Sequence, residues 1–138
     1  MEKMKILFNN GVTFEYNAPF TGGWRSALPS VRRSIAALAR GDRCVTGCYI
    51  GIASGSDAFP ALFRRVDAYK IQCGISRVVC LYETSSRNFT VQMERDLEKI
   101  FREYWREGLL LNRTGGGGGR PDTQPFRYLY TALRYGTS

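Results

Sequence analysis

Residues 45–69, VTGCYIGIASGSDAFPALFRRVDAY, change their period part-way along, and that change decides the class of fold. VTGCYIGIA (45–53) is a short apolar run bounded by a turn signal, which reads as a strand. SGSD (54–57) is a turn whose serines and aspartate supply caps for a helix. From 58 to about 70 the apolar residues Phe59, Leu62, Phe63, Val66 and Tyr69 return at helical spacing and share one side of that helix. Downstream, SRVVCLYE (76–83) is apolar on both faces and is expected to be a central strand. A long helix is expected from about 89 to 106, and FRYLYTAL (126–133) alternates as a last strand. Upstream, KILFNNGVTFEY (5–16) reads as two strands around Asn10-Gly11, a hairpin turn signal. NAPFTGGW (17–24) reads as a loop. Ser30 is placed to cap a short helix through Arg40, with Val31, Ile35 and Leu38 on its inner side and Gly41 ending it. The expected fold is therefore α+β, a small and mostly antiparallel central sheet flanked by helices.

Length and composition fit this. At 138 residues and 15.6 kDa, with 43% apolar and 23% charged residues, the chain suits one globular domain spanning 1–138. Five consecutive glycines (115–119) would ordinarily mark a linker. Too little chain comes after them for a second domain, so the run is expected inside the single domain, between the long helix and the last strand. The start, MEKMKILFNNG, is too polar for a signal peptide, and nothing resembles a membrane span. The expectation is an intracellular protein, cytoplasmic or nuclear, with no membrane partner.

Net charge is +8 with no histidine, and most of the twenty cations are arginines. Guanidinium forks match phosphate oxygens, so the excess points to a polyanionic partner, nucleic acid first. The basic 31–43 segment, with Arg32, Arg33, Arg40 and Arg43 beside Trp24, suits either contacts to a substrate backbone or a solvated helix face. Cys44, Cys48, Cys73 and Cys80 lack the paired short spacings of zinc sites and lie in or beside apolar strand-like stretches. They are expected to be buried free thiols rather than a zinc staple.

Two charges sit where the helical patterns are apolar. On the long helix Phe89, Met93, Leu97, Ile100, Phe101, Tyr104 and Trp105 form one arc, and Glu94 projects inside it, between Phe101 and Trp105. A carboxylate there is costly unless it is paired or holds a metal. On the shorter helix Arg65 lies at the edge of the apolar arc, one turn from Tyr69, while Arg64 points the other way.

Taken in order, Tyr49-Ile50-Gly51 on a strand, a helix reading FRRVDAY, a second helix reading MERDLEKIF and then Asn112 resemble the GIY-YIG nuclease superfamily. The likeness covers about 44–113, and a GIY-YIG-like group with an N-x-x-GGGGGR segment and a short final strand extends it through the glycine loop (115–119) to 126–133. The resemblance implies one-metal hydrolysis of phosphodiester bonds in DNA. Glu94 would hold Mg²⁺ or Mn²⁺, Arg65 would face the charge growing on phosphate, Tyr49 would assist the attacking water, and Asn112 and Tyr69 would complete the catalytic set. Gly51, Arg64, Arg113, Gly116, Gly117 and Arg120 would touch substrate, the glycines by letting backbone N–H groups approach phosphates. No G-I-Y precedes Tyr49 at the usual short distance. The nearest candidates are Gly11-Val12-Thr13 or Tyr16, which makes the 29–40 helix an insert between two motif strands. The alternatives are an inactive nucleic-acid-binding module on the same scaffold, or a nuclease for RNA or single-stranded DNA. A monomer or weak dimer is compatible with all of them.

Overall fold

Among the described residues are five strands and three helices: β1 (Lys5–Asn9), β2 (Val12–Phe20), α1 (Trp24–Arg40), β3 (Val45–Gly55), α2 (Ala58–Asp67), β4 (Ile75–Thr84), α3 (Arg87–Tyr104) and β5 (Phe126–Tyr135). The structure is a computed structural model that describes residues 5–67, 74–112 and 123–136. The strands form one sheet in the order β1-β2-β4-β5-β3, antiparallel except for the β2–β4 pair. The fold is thus α+β, as the period changes imply. No helix among the described residues is long and apolar enough to cross a membrane.

The hairpin turn is where expected. Asn10 and Gly11 have φ of 51° and 81°, the left-handed pair that a two-residue turn matching strand twist demands. β4 and β5 fill the third and fourth places in the sheet, and Val78, Tyr82, Leu129, Tyr130, Ala132 and Leu133 lose all solvent contact. α1 and α3 cover one face, packing Val31, Ile35, Met93, Leu97 and Phe101 on Ile50, Leu81, Tyr82 and Leu129. α2 covers the other, setting Leu62 and Val66 against Phe14, Val78, Cys80 and Tyr130.

Several expectations are corrected. β2 does not end at 16 but continues through Pro19 to Phe20, because a register break between Tyr16 and Phe20 accommodates the residue that cannot donate. α1 starts at Trp24 on Gly23, with Pro29 inside it and Ser30 within its body rather than at its cap. Proline costs one helical hydrogen bond, but the buried stripe Ala27, Val31, Ile35 and Ala39 holds the helix through it. The Ser30 hydroxyl instead accepts from Arg33 at 3.3 Å. α3 begins two residues early because Ser86 accepts the Phe89 N–H at 3.2 Å. Tyr104, expected inside, is 73% exposed: the helix ends there, and Trp105 folds back to stack on Phe101 at 4.0 Å. Cys48 and Cys80 are buried thiols, that of Cys48 pushed up to about 12 by burial. Cys44 is exposed, and Cys73 lies outside the described residues.

Candidate active site

β3 is an edge strand, and its open side is closed by the chain leaving α3. Cys48 N–H donates to the Leu109 carbonyl and Leu111 N–H to the Cys48 carbonyl, each at 2.8 Å. Asn112 then extends the ladder with its side chain. Its Oδ1 accepts the Ile50 N–H at 2.8 Å, and its Nδ2 donates to the Ile50 carbonyl at 2.7 Å. The amide mimics a peptide group, and its second N–H donates to Glu98 Oε1 at 2.7 Å. Asn112, only 8% exposed, thereby ties β3 to the carboxylate side of α3.

Glu94 lies one turn before Glu98 on α3 and is partly buried. Burial pushes its carboxyl up to about 7; the neighbouring Glu98 charge adds to the rise, and Arg65 opposes it. Glu98 is itself raised by burial, while the Asn112 hydrogen bond and the Arg102 charge act the other way. Acid and guanidinium therefore lie within electrostatic reach of each other, from helices on opposite faces of the sheet. Arg65 also interacts with the Tyr130 phenol, which burial drives far above a normal tyrosine while the guanidinium opposes the rise.

Tyr130 lies opposite Gly51 in the β3–β5 register, and its ring is 6.4 Å from that of half-buried Tyr49. A Cβ on Gly51 would run into the Tyr130 phenol and come within 2.9 Å of Tyr49 Cε1. The glycine of the Tyr49-Ile50-Gly51 motif is thus a space requirement: only a hydrogen there lets both rings pack over it.

Of the residues singled out from the sequence, Tyr49, Gly51, Arg65, Glu94 and Asn112 gather at this edge. Arg64 does not join them; its guanidinium donates to the Ser54 carbonyl at 3.1 Å, near the end of β3. Tyr69, Arg113, Gly116, Gly117 and Arg120 lie outside the described residues. The strand that follows Gly11 and bears Val12, Thr13 and Tyr16 is not a neighbour of β3, from which β4 and β5 separate it. Tyr16 donates instead to Glu83 at 3.1 Å. The tyrosine facing Tyr49 comes from the far end of the chain, on β5.

Glu98 and Tyr130 are the residues that pattern reading missed. The signal for Glu98 was its spacing of four from Glu94. For Tyr130 it was the Phe126, Tyr128, Tyr130 alternation, which means little until β5 is known to pair with β3.

No group of three or more Cys, Asp or Glu suited to a metal occurs among the described residues. The donor set nevertheless fits a magnesium-like ion, which keeps several waters and needs only one or two carboxylates. Glu94 carries an ionisation cost from burial and from Glu98 that a cation would relieve. Comparison with protein-family models, with curated proteins and with solved structures finds no match to this chain.

Proposed function

We propose that the protein is an endonuclease that hydrolyses phosphodiester bonds in DNA, with its active centre at the β3 edge. The observation that carries the reading is one partly buried carboxylate, Glu94, held near neutrality by burial and set within electrostatic reach of Arg65 from a different helix. Such a perturbed acid with a specific charged partner, in a chain of net charge +8, fits catalysis on a polyanion.

In this mechanism Glu94, once ionised, would be the residue that holds Mg²⁺ or Mn²⁺. When bound, the ion supplies Lewis acidity to a phosphate oxygen and to the leaving oxygen. Arg65 would face the charge that builds on the phosphoryl oxygens, with the Tyr130 phenol helping to hold it. Water attacks phosphorus as the bond to the leaving oxygen breaks; the water proton passes to solvent or to Tyr49 in its phenolate form, and the leaving oxygen takes a proton from solvent. Asn112 acts at one remove: its amide is taken up by Ile50 and Glu98, so it positions α3 rather than touching substrate.

Nicking of supercoiled plasmid with Mg²⁺ or Mn²⁺ tests the reading, wild type against Glu94→Gln and Arg65→Ala. Loss of about 10²-fold or more in each variant, with both proteins still folded, is expected. DNA binding without cleavage by the wild type would make the protein a binding module, and cleavage of RNA or single strands alone would change the substrate.

A further inference from the structure

Away from that centre, at the start of β3, the ends of α1 and α3 enclose an open cavity of about 220 Å³. Ala39, Val45 and Leu109, each 3% exposed, make its floor. Its rim carries the exposed Arg40, Arg43 and Arg106, with Asp42 as the one acid. Asp42 is partly engaged, since its Oδ1 accepts the Cys44 N–H at 2.9 Å. None of the three arginines forms an ion pair among the described residues. Three cations against one acid leave the rim positive, although the carbonyl end of α1 works mildly against an anion. The cavity falls below the usual range of about 300–1,000 Å³ for small-molecule sites. A single phosphate group with its water fits it.

We infer that the Arg40, Arg43 and Arg106 cavity is a second phosphate site, which holds a backbone phosphate of the nucleic acid whose cleavage is proposed above. Val45 precedes Tyr49 by four residues on one strand, so cavity and reacting centre stand about 13 Å apart at ~3.3 Å per residue. That places the held phosphate within a few nucleotides of the cut, on the same stretch of backbone. The site fixes how far substrate must extend to one side of the cut, and it makes arginine rather than lysine the useful residue, because a phosphate takes paired N–H donors.

Binding of a short DNA duplex is measured by anisotropy across a salt series, in Ca²⁺ so that cleavage does not intervene. Wild type is compared with Arg43→Gln/Arg106→Gln. Both side chains are exposed, and unchanged melting verifies the fold. The expected result is roughly tenfold weaker binding at moderate salt and a slope of log K against log salt shallower by about one. Arg43→Lys/Arg106→Lys is expected to recover the slope but only part of the affinity. Inorganic phosphate is titrated in parallel, followed by the Ala39 and Leu109 amide signals. Phosphate binding there with an unchanged DNA slope would make the cavity a free-anion site and overturn its assignment to the backbone. Unchanged affinity and slope in the glutamine variant, with wild-type nicking intact, would sink this inference alone. A wild type that neither binds nor nicks DNA would sink both it and the nuclease reading.

Discussion

At the scale of single residues, Glu94 makes the sharpest demands. Its folded-state pKa of about 7 lies above the ordinary 4.5, so between those values the native state holds a proton that the unfolded chain has lost. Stability should therefore fall as pH rises through that window. Glu94→Gln removes the cost, and urea unfolding at pH 8 is expected to show the variant more stable by about 1–3 kcal/mol, the gain vanishing near pH 4. A variant that is less stable at pH 8 would mean that the carboxylate is a structural ion pair. Tyr130→Phe keeps the buried ring and deletes the phenol that interacts with Arg65. It should cost about 1 kcal/mol in stability and lower kcat at least about tenfold while KM barely moves, because a loosened Arg65 fails chiefly in the transition state. Equal losses in kcat and stability-corrected KM would reduce Tyr130 to core packing. Glu94 was legible in the sequence because an acid inside an apolar helical arc contradicts its neighbours. Tyr130 was not, because an aromatic on an alternating strand looks like core, and its partner lies 65 residues away in the chain.

At the scale of elements, the segment after α3 is the device that turns an edge strand into a site. Leu109 to Asn112 runs beside β3, and the Asn112 amide finishes the pairing that the backbone begins. Asn112→Ala leaves both Ile50 backbone groups without these partners and releases Glu98, and it should destabilise the fold by about 2–4 kcal/mol, read by chemical denaturation. A loss under about 0.5 kcal/mol would show that water replaces the amide easily. Gly51→Ala tests the companion requirement on the same strand. The added methyl must displace Tyr130 or Tyr49, so nicking should fall further than stability explains. Most elements were readable from period and turn chemistry: the Asn10-Gly11 hairpin, the both-face apolar β4, the inner stripe of α3. The misreadings of β2 and α1 share a cause. Pro19 and Pro29 are local stop signals, and tertiary burial of the surrounding strand and helix overrode both.

For the whole molecule, the sheet order decides what the sequence could not. Chain order suggested that the segment before Tyr49 supplies its partner strand, but β2 pairs with β4, and the final strand β5 enters between β4 and β3. Pairing between strands so far apart in sequence leaves no local pattern, so the composition of the site from β3, α2, α3 and β5 emerges only in three dimensions. One Glu94–Arg65 centre per chain also makes a statement about products: nicked circles should accumulate before linear plasmid in a single-turnover time course, and direct conversion to linear form would require two centres acting together. The central claim, an acid kept near neutrality by its surroundings and waiting for a cation, is most directly tested by NMR titration of the Glu94 side-chain carboxyl, with and without Mg²⁺. The expected midpoint is about 7 in the absence of metal, moving down by at least about one unit when Mg²⁺ is present; a midpoint near 4.5, or one that Mg²⁺ leaves unmoved, would contradict it.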